Sequence, residues 1–345
     1  MTTQKPDLST SYLGLQLKNP CIAGPGPLTG SMDSLTRLEE AGVAAVILPS
    51  LFEEQIEAEE MNVHGMYEDP AGYSPEASSY FPELEDYNTG PDRYLNLLDE
   101  AVHGLKIPVI ASLNGYSAGG WTHYAKLIED HGASALELNI YYVPTDPSEN
   151  ATAVEDRYLQ VVSQLRDTIS IPISVKIGPY FSALPHFAQK LQEAGADGLT
   201  LFNRYLHPDI ALEEMKVIPR LYLSGPEEAL LPLRWIAILK DRIPLSFGAT
   251  SGIDTSDEAI KLLLAGADSL HMVSSLLRKG PAHVAHLISG LSAWMQEKDY
   301  RSVEQLKGSM CQSRSPNPET FERANYMKAI TSFTSSFLES DQAWI

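Results

Sequence analysis

The feature that most constrains the fold is an internal repeat of two short phrases that alternate along the chain. One phrase reads Ala/His-Gly-Ala/Val and the other reads Ile-Pro, and each is followed by an apolar run. The copies are, in chain order, NPCIAGPG (19–26, a looser copy of the second phrase), AGVAAVIL (41–48), IPVIASLNG (107–115), HGASALELNI (131–140), IPISVKIG (171–178), AGADGLTLF (194–202), IPLSFGAT (243–250) and AGADSLHMV (265–273). The chain therefore contains eight candidate strands.

The chemistry of the repeat indicates what kind of strand each copy forms. Each apolar run is about five residues long and rich in Val, Ile and Leu, as a strand buried on both faces should be. The glycine fits a helix C-terminal cap before the strand, and the proline stands at a strand start, where its missing N–H does least harm. Amphipathic stretches such as DSLTRLEEAG and SDEAIKLLLAG separate the runs. This alternation predicts a parallel sheet, and eight units in series predict a closed (β/α)8 TIM barrel.

An open doubly wound sheet is the alternative fold. It would normally carry its phosphate-binding glycines after the first strand, and GPGPLTG does not fit the G-x-G-x-x-G pattern. The 345 residues suit one large domain, so we expect a single barrel domain over residues 1–345. We expect an insertion over 51–92, a second over 205–225 and a C-terminal extension over 300–345 that reads as loop and then a short helix. The first insertion is rich in Glu, Tyr and Pro and leaves the face where barrel active sites lie.

Composition excludes several classes of function. The formal net charge of −20 argues against binding to nucleic acids or to anionic membranes. A contribution to solubility is the simpler explanation of this charge. No apolar run approaches the ~20 residues of a membrane span. The two cysteines, Cys21 and Cys311, make neither a disulfide framework nor a metal-ligand pattern, which favours a reducing cytoplasm. Neither a zinc-protease motif nor a serine-hydrolase elbow occurs, so we expect no metal site and no serine hydrolysis.

Two polar residues interrupt apolar strands near the predicted barrel mouth. Lys176 interrupts ISVKIG, so it either reaches the mouth or pairs with a buried anion, for which Glu137 is the nearest candidate. Asn139 interrupts ELNI, and the pattern leaves open whether it contacts a ligand or makes a structural hydrogen bond. Both residues lie where barrels place catalytic groups.

Glycine- and serine-rich turns follow the last two strands. GATSGID (248–254) and Ser274-Ser275 stand where many barrels bind phosphate through backbone N–H groups, and Ser224-Gly225-Pro226 adds a third turn. Ordinary tight turns are the alternative interpretation. The pattern favours an anion site at this side of the mouth.

Several of these segments, in this order, resemble the class 1 dihydroorotate dehydrogenases. They are NPCIAGPG, SLNGYS, ELNI, VKIGPYF and GATSGIDTSDEAIKLLLAGADSLHMVSSLLRKGP, and the likeness runs from about residue 11 to about residue 300. The resemblance implies FMN across the barrel mouth, a small-molecule substrate oxidised at a CH–CH bond, a cytoplasmic location and a homodimer as the expected assembly. Dihydroorotate oxidation in pyrimidine biosynthesis is the reaction that the family name suggests.

The resemblance also assigns roles to individual residues. Lys176 matches a lysine near the flavin N1/O2 edge, where a cation stabilises the reduced ring. Asn139 matches an asparagine that touches flavin and substrate, and Asn203 one that helps hold the pyrimidine. The remaining matches are flavin-contacting or phosphate-binding positions: Gly24, Gly26, Ser50, Gly225, Ser251, Gly252, Ser274 and Ser275.

The departures from the family pattern concern the substrate side. Tyr142, in ELNIYYVP, stands where the family has its proton-abstracting cysteine or serine, and Pro144 replaces an asparagine. Pro49 precedes Ser50 where the family has a lysine, and Arg204 replaces a serine. The family's substrate-gripping Asn-Ser-Met-Gly-Leu segment has no copy in SSYFPELEDYNTG. The sequence therefore predicts a flavin site that is kept and a substrate site that is rewritten.

These departures leave alternatives open. Tyr142 is a base if a cation such as Arg204 lowers its pKa, and otherwise a wall of the pocket, which we favour. The first functional hypothesis is an FMN oxidoreductase acting on a small polar molecule, more readily on another substrate than on dihydroorotate. The others are a non-flavin lyase or isomerase that uses Lys176, and a flavin-binding protein without turnover.

Overall fold

Eight parallel strands form a closed barrel, as the repeat predicts. A computed structural model describes residues 5–56, 91–117, 119 and 122–332, so most of the predicted insertion over 51–92 lies outside the described residues. Each barrel strand pairs with the next along the chain, and the last closes on the first. The barrel strands are β3 (Cys21–Ala23), β4 (Ala45–Phe52), β5 (Val109–Asn114), β6 (Ala135–Asn139), β7 (Ile173–Ile177), β8 (Gly198–Leu201), β11 (Ser246–Thr250) and β12 (Ser269–Met272).

Two short hairpins stand outside the barrel. The first joins β1 (Thr10–Tyr12) and β2 (Leu15–Leu17), and the second joins β9 (Asp209–Ala211) and β10 (Lys216–Ile218) within the predicted insertion over 205–225. Both pairs are antiparallel. The repeat predicted neither hairpin, because the first lies before its first copy and the second lies between two copies.

Helices cover the outside of the barrel in the order that the amphipathic stretches predict. Ser31 caps the first helix by accepting a hydrogen bond from the Ser34 N–H, and Gly42 ends it with φ 105°. The same position has positive φ in all four copies of the Ala/His-Gly phrase, at Gly42, Gly132, Gly195 and Gly266, which is why this phrase carries glycine. The helices are α1 (Met32–Ala41), α2 (Pro91–Gly104), α3 (Thr122–Asp130), α4 (Ala151–Thr168), α5 (Leu184–Glu193), α6 (Leu230–Leu239), α7 (Ser256–Ala265), α8 (Ser274–Lys279), α9 (His283–Glu297), α10 (Val303–Leu306) and α11 (Arg323–Ser332).

Strand β4 differs from its predicted end. The sequence pattern places the end of this strand at Pro49-Ser50, directly after the apolar run AGVAAVIL (41–48). The strand instead continues to Phe52, with a shift of register between Ile47 and Ser50. The shift accommodates Pro49, which has no N–H to donate to the ladder. The predicted insertion over 51–92 thus begins within a strand, and its last two residues, 91–92, begin α2.

The hairpin β1–β2 closes the amino-terminal end of the barrel. The Tyr12 side chain is 1% exposed, and its hydroxyl lies 3.0 Å from the Ser174 hydroxyl inside the barrel. The Leu13 N–H donates to the Ser246 side chain at the start of β11. Among the described residues, the hairpin therefore covers this end of the barrel, and the opposite end, where the strands end, is open to a ligand.

The C-terminal extension packs against the helical shell. The described residues after α9 form a loop, α10, a second loop and α11. The backbone N–H of Gly308 donates to Leu263 in α7. None of the described helices is both long enough and apolar enough to cross a membrane.

Candidate active site

The carboxyl ends of the barrel strands surround a cavity of about 440 Å³, called here the mouth cavity. This volume lies within the range of small-ligand sites. Among its described lining residues are two cations, Lys176 and Arg204, and no carboxylate, in a chain of net charge −20. The predicted site residues that line it are Gly26, Lys176, Asn203, Arg204, Ser251, Gly252 and Ser274.

Lys176 reaches the mouth from β7 and lies over a buried carboxylate. Its Nζ is 3.5 Å from Oε1 of Glu137, whose side chain is 1% exposed. The other oxygen, Oε2, accepts a hydrogen bond from the Thr200 hydroxyl at 2.9 Å. The structure therefore shows the ion pair that the sequence left open and also places the ammonium in the mouth.

His271 is the third group around this carboxylate. Its Nδ1 lies 3.6 Å from Oε2 of Glu137, which is too long for a hydrogen bond, and its Nε2 lies 3.0 Å from the Ser269 hydroxyl. Burial by itself raises the pKa of Glu137, but Lys176, His271 and Thr200 together outweigh burial and hold this pKa below its ordinary value. Glu137 is therefore ionised at neutral pH and fixes the charge beneath the mouth.

A ladder of buried hydroxyls continues below this carboxylate. Thr200 lies 3.0 Å from Ser174, and Ser174 lies 3.0 Å from Tyr12 at the closed end of the barrel. Burial, reinforced by the charge of Glu137, raises the pKa of Tyr12. The ladder gives the buried polar groups hydrogen-bond partners inside the barrel, as buried polar groups require.

Asn139 and Asn203 form a pair at the ends of β6 and β8. The Asn203 side-chain amide donates to Oδ1 of Asn139 at 2.5 Å, and both side chains are buried. In this orientation the Asn139 Nδ2 donor and the Asn203 Oδ1 acceptor have no protein partner among the described residues. The pair can therefore offer one donor and one acceptor to a ligand.

The predicted anion turns meet on one side of the mouth. Ser251 and Gly252 both have positive φ, 76° and 72°, and the Gly252 N–H donates to the Ser224 hydroxyl at 3.1 Å. Ser224 in turn donates to Ser274 at 3.0 Å. The buried Ser275 hydroxyl has no hydrogen-bond partner in the described part of the chain. An orphaned hydroxyl beside backbone turns suits an oxyanion ligand.

Gly24 and Gly26 allow the first barrel loop to approach β12. A Cβ on Gly24 would lie 2.8 Å from the Val273 side chain, and one on Gly26 would lie 3.1 Å from it. Val273 lines the mouth cavity, as does Gly26. Any larger residue at position 24 would push this wall toward a ligand.

Gly225 and Arg204 meet at a carboxylate that the sequence did not point to. Glu228 accepts hydrogen bonds from the Gly225 N–H at 3.0 Å and from Nε of Arg204 at 2.7 Å. Arg204 also donates to the Tyr222 carbonyl. The Arg204 guanidinium is therefore ion-paired with Glu228, and the Gly225 N–H already has a hydrogen-bond acceptor.

Six predicted residues are not among the lining residues of the mouth cavity: Gly24, Ser50, Asn139, Tyr142, Gly225 and Ser275. Ser50 and Tyr142 each bond to a neighbour away from it. The Ser50 hydroxyl lies 2.8 Å from that of Ser112 on the neighbouring strand. The Tyr142 hydroxyl donates to Glu149 at 2.6 Å, and its ring stacks on Tyr116 with centroids 5.7 Å apart. Neither residue is among the lining residues of the mouth.

The electrostatic environment of Tyr142 is the reverse of what a base needs. The hydrogen bond to Glu149 raises the pKa of Tyr142. The cation beside the ring is Arg157, with Cζ 4.4 Å from the ring centroid and a 2.8 Å ion pair to Glu149. The sequence named Arg204 as a candidate cation, but in the structure Arg204 pairs with Glu228 and Arg157 is the cation over the Tyr142 ring. These contacts favour the alternative in which Tyr142 lines a cavity and is not a catalytic base.

Comparison with known proteins identifies the family of the chain. A sequence profile of the family described as Dihydroorotate dehydrogenase matches residues 78–295, more than half of the chain. The chain belongs to the dihydroorotate dehydrogenase family. Members of this family of oxidoreductases generally use FMN, so the resemblance seen in the sequence is confirmed.

The similarity to individual members extends over nearly the whole chain. The catalytic subunit of dihydroorotate dehydrogenase B (NAD(+)) from Methanothermobacter thermautotrophicus is 25% identical over 311 residues, covering 87% of this chain and 97% of the relative. A putative dihydroorotate dehydrogenase A (fumarate) from Aeropyrum pernix is 27% identical over 316 residues, covering 88% and 97%. The B-type catalytic subunit from Thermoplasma acidophilum is 26% identical over 318 residues, covering 88% and 98%.

Within this family fold, sequence reasoning missed three groups that surround the predicted residues. His271 is hidden in the apolar phrase SLHMV, where its polar character is the one available signal. Glu228 gave a weak signal as part of the acidic turn after Gly225. Arg157 gave none, because it lies on α4 and meets the loop after β6 only in three dimensions.

Proposed function

We propose that the chain is an FMN-dependent oxidoreductase of the dihydroorotate dehydrogenase type, acting on a CH–CH bond of a small polar substrate. The single observation that supports this most is the mouth cavity, which joins Lys176 to a Ser/Gly anion turn without any lining carboxylate among the described residues. A carboxylate-free cavity with cations suits an anionic ligand with a large ring system.

The residues present fit FMN in separate ways. The turn at 251–252 and the N-terminus of α8 at Ser274 and Ser275 would hold the phosphate. Ser251, Gly252 and Ser274 line the mouth cavity, and the Ser275 hydroxyl is buried without a hydrogen-bond partner in the described part of the chain. Lys176 would face the polar edge of the ring, and its positive charge would favour the reduced, anionic form. When bound, FMN would supply the hydride acceptor of the reaction.

Gly24, Gly26, Gly225 and Ser50 would support this site indirectly. Their small size keeps the walls of the mouth close, and the Gly225 N–H, already bonded to Glu228, would leave the phosphate to the other turns. Ser50 would support the site by holding the Ser112 hydroxyl on the next strand in place.

The substrate would bind at the asparagine pair. Asn139 and Asn203 offer a donor and an acceptor in adjacent positions, which complements a cyclic amide or imide edge. Tyr142 would be a wall of the adjoining cavity and not a base in the mouth, because it lies outside the mouth lining and its hydroxyl donates to Glu149. We therefore propose that dihydroorotate reduces the bound flavin only slowly, although relatives of this chain are named dihydroorotate dehydrogenases.

Spectra of the purified full chain test the proposal. We expect an absorbance band near ~450 nm and release of FMN on denaturation. Anaerobic titration with dihydroorotate at neutral pH should bleach the band little, whereas a screen of small saturated donors should find one that bleaches it. Colourless protein would favour the lyase or isomerase, bound flavin that no donor reduces would favour a protein without turnover, and rapid bleaching by dihydroorotate would refute the rewritten substrate site.

The same proposal includes the expected environment of the enzyme. A small-molecule substrate and a homodimer follow from the family resemblance, and a cytoplasmic location follows from the two unpaired cysteines. The hairpin β9–β10 supports a homodimer, because Leu212, Met215 and Val217 are exposed apolar side chains there.

A further inference from the structure

A second cavity, of about 500 Å³, lies beside the mouth and shares no lining residue with it. It is bounded by the loop after β6, the first turns of α4, the loop after β7 and Tyr205, which follows β8. We call it the tyrosine cavity. Its volume is within the range of small-ligand sites.

Aromatic rings form the walls of the tyrosine cavity. Tyr158 meets Phe181 edge to face, with centroids 5.3 Å apart, and Tyr180 lies 5.4 Å from Tyr205. Tyr142 adds a fifth ring. Tyr158 is buried, whereas Tyr180 is 70% exposed and stands at the opening. Such rings attract either apolar bodies or cations, because the ring faces are electronegative.

The charged residues of the tyrosine cavity have a single sign. Its lining includes Asp146, Glu149 and Glu155 and no Lys, Arg or His. Arg157 neutralises Glu149 from outside the lining. The Ser148 N–H and hydroxyl lower the pKa of Asp146, so this carboxyl is ionised at neutral pH. Glu155 has no ion-pair partner among the described residues.

The charged side chains that line the two cavities therefore differ in sign. The mouth is lined by cations without carboxylates, and the tyrosine cavity by carboxylates without cations. Aromatic walls beside uncompensated carboxylates form a setting that stabilises an organic cation and repels an anion. A neutral aromatic ligand would make no use of the carboxylates.

We propose that the tyrosine cavity is a binding site for a small organic cation, an amine or quaternary ammonium with a compact apolar body. The apolar part contacts Tyr158, Phe181 and Tyr205, and the charge lies between the Tyr180 ring and the carboxylates of Asp146 and Glu155. Binding here requires neither flavin nor turnover, so it stands independently of the proposed oxidoreductase activity.

Calorimetric titration of the purified full chain tests the site. Choline is the probe, and 3,3-dimethylbutan-1-ol, which replaces the ammonium by a carbon of the same shape, is the neutral control. We expect saturable binding of one choline per chain, at least ~10-fold tighter than binding of the alcohol. Equal affinities, or no binding of choline up to about 50 mM, would overturn the proposal.

Matched variants locate the binding. Tyr180→Ala removes an exposed ring, and Glu155→Gln removes a charge while keeping the shape. Each should weaken choline binding by at least ~3-fold. Glu319→Gln makes the same charge change on an exposed residue of the C-terminal extension and should leave binding unaltered.

Diffuse attraction of a cation to an acidic chain predicts a different pattern. In that case Tyr180→Ala would have no effect, and Glu155→Gln and Glu319→Gln would weaken binding equally. Either result would overturn the site. Thermal melts confirm that the variants fold, and Glu155→Gln keeps the test decisive should Tyr180→Ala be unstable.

Discussion

At the scale of single residues, the buried carboxylate of Glu137 sets the charge of the mouth. It lies between Lys176 and His271 at 3.5 and 3.6 Å, and its depressed pKa keeps it ionised. A depressed pKa contributes stability that is present above the ordinary value of 4.5 and is lost as the pH falls through the lower, folded value. The pair is therefore intact throughout the neutral range.

Removing the lysine should make the flavin harder to reduce. Lys176→Ala takes one partly buried positive charge from the mouth, which should lower the two-electron potential by about 20–60 mV, equivalent to about 1–3 kcal/mol. Glu137→Gln keeps the cation and removes the opposing charge, so it should raise the potential. Lys261→Ala, at an exposed position on α7, serves as the control. Potentials measured with reference dyes would contradict this role if all three variants matched the parent.

Tyr142 should be nearly silent when its hydroxyl is removed. The hydroxyl donates to Glu149, which raises the pKa of the phenol and makes it a weaker proton acceptor at neutral pH. With the true substrate, Tyr142→Phe should change the rate of flavin reduction by less than ~3-fold. Stopped-flow absorbance provides the measurement. A fall of ~10²–10⁴ would instead identify a catalytic base.

At the scale of elements, the turn after β11 combines two constraints in Gly252. Its φ of 72° favours glycine, and a Cβ there would lie 2.4 Å from the Ala229 backbone nitrogen. The turn is therefore packed directly against the 3-10 turn that precedes α6. Any side chain at position 252 must displace one of the two segments that surround the proposed phosphate position.

Gly252→Ala should lower flavin occupancy as well as stability. The expected occupancy is less than about half that of the parent, because the displaced turn loses its backbone N–H geometry. Gly14→Ala is the matched control: its φ is 75°, and its Cβ would meet nothing within 4 Å. It should cost about 1 kcal/mol and leave occupancy unchanged. The ratio of absorbance near ~450 nm to protein absorbance gives the measurement, and full occupancy in Gly252→Ala would refute this placement.

At the scale of the whole molecule, Asp268 ties the C-terminal extension to the barrel. Its carboxylate lies 2.8 Å from Nζ of Lys307 and 3.2 Å from Nζ of Lys240, and it accepts the Phe247 N–H at the start of β11. Burial lowers the pKa of Lys307, but Asp268 and Glu304 outweigh burial and raise it. The extension is therefore held by a buried charge and not by apolar contacts alone.

Lys307→Met should lower the free energy of unfolding by about 1–3 kcal/mol, because Lys240 still compensates part of the Asp268 charge. The difference from the parent should be constant below about pH 10.5 and shrink as the pH rises through the raised pKa of Lys307, where the parent loses its own charge. Urea unfolding at pH 8 and pH 11 measures both effects. Lys298→Met, at an exposed lysine, should change stability by less than ~0.5 kcal/mol.

The sequence by itself determined the barrel and the positions of its strands. Eight apolar runs with glycine and proline at fixed places predict a closed barrel surrounded by helices. In this arrangement each strand is buried on both faces and each intervening helix on one face. The same alternation put Lys176, Asn139 and the Ser/Gly turns at the strand ends. These are local signals, carried by residues within a few positions of one another.

Only the tertiary structure decided which charges meet. Arg204 pairs with Glu228 and Arg157 with Tyr142, and His271 faces Glu137 across the barrel. Each of these contacts joins residues from different segments of the chain. Each depends on a distance of a few ångströms, which cannot be read from the spacing of residues in the sequence. Electrostatic interaction falls with distance and rises with burial, so the balance of charge at the mouth followed from packing, whereas the barrel itself followed from the periodic pattern of the chain.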